Sequence, residues 1–543
     1  MLATHGGTSR KAKRLICGAA TAQPRWPLRN PLRLPCPLGR PGTTPVTPTV
    51  AYRTYAATVS AAESVQKDGM GGVDLAKRWL ESTTWVELPF DVYNNAPVCS
   101  LRRLGGKVQR YDLFGAIHTD PPTLLYVDRQ GRQPCRPMGR RWMKRRPDDS
   151  GAPQKEKCMI SREIRGLDFD SYLQHIRCFT DEELIPREIE MVDAGEVPAD
   201  LVERMAQVGL FGITLPREWG GLGWTVEQQV LLTLEFTRAS CVYRSRFSTT
   251  IGLCSQVLLD YGTAAQRTRH LAAMAGGDRV ASFALTEPEA GSDAGAVTTT
   301  AVRDGDHYVL NGHKRYITNA AWADLLIVFA RTEQGPSAFL VELPASGVST
   351  RLPHRMNGHE AGPVAEIDLV GVRVPAENLI GGEEGVGLRQ ALRGINHART
   401  HVAATAVGQA TRLLSEATRH AIHRSQFGTP LADLGAVESM LGRSYAEMVA
   451  GRALVLDCAR EFDTGPIPHH RIAAAKLFCT EMASEVADRA VQILGGEGIV
   501  GDSPVPRMWR DVRALRIYEG ASQIHERNLA RHLKSTVGDG GGV

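Results

Sequence analysis

The chain has 543 residues, of which 43% are hydrophobic and 23% charged, the composition of a globular protein with room for three or four domains. No stretch approaches the roughly 18 consecutive apolar residues that a spanning helix needs, which excludes a helical integral membrane protein. Ten cysteines without a Cys-x-x-Cys pair exclude a disulfide scaffold or a zinc ribbon. The formal charge of +5 hides a division: residues 1–158 hold 26 Lys and Arg against 12 Asp and Glu, whereas the remainder holds 38 against 47.

Residues 1–158 also carry 16 of the 30 prolines. Arg10, Lys11, Arg14 and further basic residues precede the first acid, Glu63, as in an organelle transit peptide. Prolines from Pro24 to Pro48 interrupt any amphipathic helix there, and a second basic knot runs from Arg136 to Arg146. Such a segment fits a nucleic-acid or anionic-surface arm, a transit peptide over its first third, or a disordered appendage ahead of a natural start at Met159. The last is the favoured expectation.

From residue 159 the pattern is cleaner. Residues 159–280 read as helical; Leu201, Met205 and Val208 fall at i, i+4 and i+7 before Gly209. Residues 281–388 read as a small β domain, with short apolar runs Tyr308–Leu310, Leu325–Phe329 and Ala338–Glu342 bounded by Gly, Asn and Pro. Residues 389–543 read as a helical bundle with long segments near 389–424, 432–463 and 468–494. The expected class is mainly α with a small β domain between helical domains.

Four strings carry candidate chemistry. In Phe283-Ala-Leu-Thr-Glu-Pro-Glu-Ala-Gly-Ser-Asp293 a strand is expected to end at Pro288; Gly291 permits close backbone approach, and Thr286 and Ser292 offer hydroxyls that suit either an anionic or polar ligand or a plain capped turn. Lys314-Arg-Tyr-Ile-Thr-Asn319 sets a flat aromatic, Tyr316, beside Thr318, an arrangement that suits either a planar ligand or ordinary packing. Gly496, Gly498 and Gly501 satisfy G-x-G-x-x-G, but a helix precedes them where a dinucleotide fingerprint needs a strand. In Arg516-Ile-Tyr-Glu-Gly520, Glu519 is an acid in an apolar turn, where desolvation would raise its pKa toward that of a general base, against the plainer reading of a solvated surface acid. His397, His401, His469 and His470 lack the acid or Cys that would complete a metal site, so no metal is expected. The cysteines after residue 158 are expected to be reduced core residues.

In this order and spacing, the strings resemble the acyl-CoA dehydrogenase family over residues 168–533. The match runs through Leu285-Thr-Glu-Pro-Glu-Ala-Gly-Ser-Asp293, Val374-Pro-Ala-Glu-Asn-Leu-Ile-Gly381, Arg424-Ser-Gln-Phe-Gly428, Gln492-Ile-Leu-Gly-Gly496 and Tyr518-Glu-Gly-Ala-Ser-Gln523. The resemblance implies a helical N-terminal domain, a middle β domain, a C-terminal four-helix bundle, and FAD as cofactor. Phe283, Leu285, Thr286, Gly291, Ser292, Tyr316 (Trp in most members), Ile317 and Thr318 would contact the flavin, with Ala521 and Gln523 nearby. Arg424, Gln426, Phe427, Gln492, Gly495 and Gly496 would serve the FAD of a neighbouring subunit, which implies a homo-oligomer, a tetramer as in the family. Glu519 matches the family's catalytic base, and its rival position on another helix is Ala398 here. Ser292, Asn396, Arg399 and Gly520 match positions near the thioester or CoA. Two departures, Gly435 for a family Gln and Ala521 for a Thr, remove polar groups near the cofactor.

The activity so implied is α,β-dehydrogenation of an acyl-CoA, as in fatty-acid β-oxidation, with electrons passed to an electron-transfer flavoprotein. No nucleic acid or membrane insertion is expected. The compartment would be the cytoplasm in a bacterium, the favoured case, or the mitochondrial matrix in a eukaryote. Tyr243-Arg244-Ser245 resembles the triplet with which glutaryl-CoA dehydrogenases hold a distal carboxylate, against the plainer reading of Arg244 as a surface or intersubunit arginine. An acyl-CoA oxidase, a glutaryl-CoA-dehydrogenase-like enzyme, and a non-catalytic binding protein with a basic arm are the alternatives.

Overall fold

The computed structural model describes residues 160–538 apart from 467, 501 and 502, together with the backbone of a paired strand couple, Arg103–Leu104 with Lys107–Val108. The expected appendage 1–158 otherwise lies outside the described residues. Asp168 caps α1 (Phe169–Phe179), its carboxylate accepting the Ser171 N–H at 2.8 Å. After α2 (Glu188–Ala194) comes α3 (Ala199–Gln207), whose Leu201 and Met205 are buried, as is Val208 just beyond it. Helices α4 (Val226–Phe236) and α7 (Ala264–Gly276) begin with the same capping box, Thr225 with Gln228 and Thr263 with Gln266. Between them lie α5 (Cys241–Thr249) and α6 (Ser255–Tyr261).

A seven-stranded sheet follows: β1 (Ala281–Ala284), β2 (Thr300–Asp304), β3 (His307–Thr318), β4 (Leu325–Thr332), β5 (Gly335–Glu342), β6 (Val348–Arg351) and β7 (Val364–Pro375). Its order is β1-β4-β2-β3-β7-β6, with β5 also paired to β4. The three apolar runs expected as strands lie in β3, β4 and β5. Leu325 to Ala330 are buried in succession, the mark of a strand covered on both faces. β1 stops at Ala284, four residues before the expected end at Pro288. Its ladder with β4 ends at Val328, and the next carbonyl, that of Leu285, accepts from the Lys314 ammonium instead.

The chain then returns to helices: α8 (Gly387–His423), α9 (Gly435–Thr464), α10 (His469–Leu494), α11 (Pro504–Leu515) and α12 (Ser522–Gly538). α9 starts later than expected because Leu431–Asp433 form a tight 3₁₀ turn. Alanine is the commonest buried residue of α8 and α10, Ala403, Ala406, Ala475, Ala483 and Ala487 among them, so little side chain separates the two helices there. No described helix is long and apolar enough to cross a membrane.

Gly408 marks a close approach of α8 to the C-terminal end of α4: a Cβ there would stand 2.1 Å from Thr237 Oγ1 and 2.8 Å from the Leu234 carbonyl oxygen. Mid-helix Gly→Ala would ordinarily stabilise by about 0.5–1 kcal/mol. Here Gly408→Ala is expected to destabilise instead, by about 1–3 kcal/mol, because backbone must move. A urea midpoint at or above that of the parent would remove the close-approach argument.

Candidate active site

The first two strings meet at the end of the sheet. The Arg315 N–H donates to the Thr286 carbonyl at 2.9 Å, and the Ser282 hydroxyl donates to the Thr318 carbonyl at 2.8 Å. Lys314, fully buried, donates to Leu285 O at 3.1 Å, Phe329 O at 2.6 Å and Glu287 Oε1 at 2.7 Å. Glu287 also accepts the N–H and hydroxyl of Thr298, each at 2.6 Å, and the Thr299 N–H at 3.0 Å. The backbone of 285–287 is thereby fixed. Phe283 packs on Phe329 at a ring separation of 4.7 Å, and Ile317 lies in the sheet's core.

What remains available is polar and flat. The hydroxyls of Thr286, Ser292 and Thr318 make no hydrogen bond with another described residue, and a Cβ on Gly291 would meet nothing within 4 Å. Tyr316 sits at a bulge with φ +59°, its ring 52% exposed beside His354. The Arg315 guanidinium lies 4.7 Å from the ring centroid, and a half-exposed aromatic ring in strings that also carry free hydroxyls suits a planar heteroaromatic ligand with polar edges.

Glu519 occupies the turn between α11 and α12 with φ +56°, followed by Gly520 at φ +101°. Three helices hold that turn by its carbonyls. Arg399 of α8 donates through Nε to Glu519 O at 2.8 Å; Lys476 of α10 and His525 of α12 donate to Gly520 O at 2.7 and 3.1 Å. The Glu519 N–H makes no hydrogen bond with another described residue. Burial raises the Glu519 carboxyl above the ordinary range, against the nearby charges of Arg399, Lys476 and Arg244.

Asn396 and Arg399, expected near CoA, are committed to each other: Arg399 Nη1 donates to Asn396 Oδ1 at 2.8 Å, and Asn396 Nδ2 faces His469 Nδ1 at 2.9 Å. Arg244 on α5 has no hydrogen bond or ion pair with another described residue. Burial lowers it to about 10, which leaves it charged at neutral pH. Its neighbours have structural roles, Tyr243 donating to Leu184 O and Ser245 to Val242 O. Asn319, one residue past Thr318, donates to Ser245 O at 2.7 Å and so joins α5 to the sheet strings. His397 and His401 both face Gln229 Oε1, at 3.3 and 3.2 Å, and burial keeps them neutral. No group of acids, His and Cys able to hold a metal occurs among the described residues.

A third group stands apart. Arg424 and Gln426 are exposed, and Phe427, 96% exposed at φ +54°, tips a hairpin between Ser425–Gln426 and Thr429–Pro430. Arg424 lines a cavity of about 440 Å³ with Glu416, His420, Leu494, Glu497 and Ser503. Gln492 is exposed, and Cβ atoms on Gly495 and Gly496 would meet nothing within 4 Å. Among the described residues no hydrogen bond or ion pair joins this group to the other two. Ala521 is half-buried and Gln523 exposed in the first turn after Gly520.

Family models for the acyl-CoA dehydrogenase N-terminal, middle and C-terminal domains match residues 169–278, 282–372 and 385–534. The chain is 36% identical over 356 residues to the caffeyl-CoA reductase–Etf complex subunit of Acetobacterium woodii, covering 64% of this chain and 94% of that protein. Butyryl-CoA dehydrogenase from Megasphaera elsdenii superimposes with a TM-score of 0.65 at 30% identity, covering 69% of this chain and 98% of the other. Glutaryl-CoA dehydrogenase from Mycobacterium smegmatis, solved with FADH2, does so with 0.65 at 27% identity, covering 69% and 96%. The chain belongs to the acyl-CoA dehydrogenase family. Its members are FAD-dependent enzymes, which decides against a pure binding protein, and the half-exposed Tyr316 ring and the free hydroxyls of Thr286, Ser292 and Thr318 fit that cofactor.

Lys476 and the Lys314–Glu287 pair escaped the sequence reading. Lys476 left a trace: it is the one cation in Ile472-Ala-Ala-Ala-Lys-Leu-Phe-Cys479, on the same stripe as Ile472, Ala475 and Cys479. Cys241, Cys254, Cys458 and Cys479 are buried free thiols as expected, while Cys178 is disulfide-bonded.

Proposed function

We propose that this enzyme removes the α-proton and β-hydride of an acyl-CoA thioester, with Glu519 as the base, to give the trans-2-enoyl-CoA. The observation that carries this is the Glu519 turn: a carboxyl of raised pKa stands beside its own unused backbone N–H, while both turn carbonyls are held from behind. The N–H would receive the thioester oxygen and so acidify the α-carbon; the carboxylate takes the α-proton as the Cα–Cβ double bond forms. FAD, when bound, supplies the acceptor for the β-hydride at N5. Thr286, Ser292, Thr318 and Tyr316 would hold its ring. Arg424, Gln426, Phe427 and Gln492–Gly496 would hold the FAD of a second copy in a homotetramer, the charge and fork of Arg424 suiting a pyrophosphate. Electrons would pass to an electron-transfer flavoprotein, a reading favoured by the Etf-complex relative.

A second reading concerns the acyl group. Arg244 is a half-buried guanidinium that makes no hydrogen bond or ion pair with another described residue, and its charge acts on Glu519. An unpaired, partly desolvated cation favours an acyl chain ending in a carboxylate. The test is the anaerobic visible spectrum of the FAD-loaded full chain on adding butyryl-CoA or glutaryl-CoA. Flavin bands that bleach with either thioester are expected, and bands that bleach with neither would overturn the dehydrogenase assignment for these substrates. Under the second reading glutaryl-CoA bleaches faster, and Arg244→Ala removes that preference by about 10–100-fold, the worth of a charged hydrogen bond. Equal rates for the two thioesters in both proteins would remove it.

A further inference from the structure

One buried cation enters that mechanism only through its hydrogen bond to the turn. Lys476 is fully buried on α10, yet no carboxylate lies within ion-pair distance among the described residues, and its hydrogen bond goes to the neutral Gly520 carbonyl. An ammonium carries three donors, and enclosing one without a counter-ion is among the costliest arrangements in a protein interior. The charged groups facing it are Glu519 on the turn, Arg399 on α8, Glu481 on its own helix and Arg516 at the end of α11. Glu481 and Arg516 pair with each other at 2.6 Å, so the unpaired acid of the set is Glu519. Burial lowers Lys476 to about 8, and it remains charged at neutral pH.

The cations facing Glu519 are Arg399, Lys476 and Arg244. Arg399 is committed to the Glu519 carbonyl and to Asn396, and Arg244 is the candidate for the acyl chain. Glu519 itself adopts a left-handed backbone, which a non-glycine residue keeps only where its surroundings over-determine it. We propose that Lys476 is a positioning residue for the base: its ammonium grips the Gly520 carbonyl, closes the left-handed turn, and supplies the field that keeps the Glu519 carboxylate ionised for proton abstraction. This rests on the assignment of Glu519 as the base.

The experiment compares Lys476→Met and Lys476→Gln with the parent and with Glu519→Gln, all as FAD-loaded full chains. Lys476→Gln keeps a donor for Gly520 and guards against simple misfolding of the Met variant. In both, the acid limb of the kcat–pH profile is expected to move up by about one unit, so that kcat at a fixed pH below the limb falls about tenfold. The infrared carboxyl band that Glu519→Gln abolishes should titrate higher by the same amount, a readout that needs no turnover. A lower Tm or kcat with the limb and band unmoved would overturn the proposal. So would failure of both variants to accumulate with flavin, which assigns Lys476 to the fold alone. Full turnover by Glu519→Gln would sink the base assignment itself, an outcome separable from an unmoved limb in the Lys476 variants.

Discussion

Glu519→Gln is expected to lower kcat by about 10²–10⁴-fold while leaving flavin content and thioester binding near those of the parent. The amide has the size and shape of the carboxyl, and the turn that carries it is held through main-chain carbonyls by Arg399, Lys476 and His525, none of which the change disturbs. The Glu519 N–H also remains to meet the thioester oxygen. What goes is the lone pair that accepts the α-proton. The parent's pH profile should carry the same signature. Because burial raises Glu519 above the ordinary glutamate range, kcat should climb with pH through a limb lying higher than an exposed glutamate would give. That limb should be missing from the residual activity of the variant. Steady-state kinetics across pH decide it: an unchanged kcat, or a limb surviving in Glu519→Gln, would place the base elsewhere.

Much of the architecture was legible because it is written locally. The stripe Leu201, Met205 and Val208 needs only the helical period, and the apolar runs of β3, β4 and β5 need only their boundaries. The strings around Thr286 and Thr318 were legible as strings, since Gly291, Thr286 and Thr318 keep their chemistry wherever the chain goes. The clamp on Glu519 was not. Arg399 and Glu519 are separated by 120 residues and Lys476 and Gly520 by 44, and no local period announces that two helices will bring them to adjacent carbonyls. The early end of β1 has the same origin, for Lys314 takes the Leu285 carbonyl from 29 residues away. Asn396 and Arg399 were placed near CoA by family position alone, and the hydrogen bond between them is a contact that position does not announce.

Lys314→Met is expected to destabilise the protein by about 3–5 kcal/mol, because it removes one partner of a buried ion pair and leaves the other charge uncompensated. Glu287 would keep its hydrogen bonds from Thr298 and Thr299, which places the effect toward the lower end; the carbonyls of Leu285 and Phe329 lose a donor at the same time. Those losses loosen the segment 285–287, so weaker FAD retention should accompany the lower denaturation midpoint. The pH dependence distinguishes an ion pair from mere packing. Burial alone would raise Glu287, but the Lys314 charge and the hydrogen bonds from Lys314, Thr298 and Thr299 bring it down to about 2. A carboxyl depressed in the folded state contributes stability that is complete above its unfolded pKa and is lost as pH falls toward the folded one. The gap between parent and Lys314→Met should therefore be widest at neutral pH and narrow in mild acid, where protonation of Glu287 relieves the stranded charge in the variant first. The double variant Lys314→Met/Glu287→Gln should recover part of the loss at neutral pH. A gap that stays constant with pH, with no recovery in the double variant, would show that Lys314 fills space and that its charge holds nothing in place.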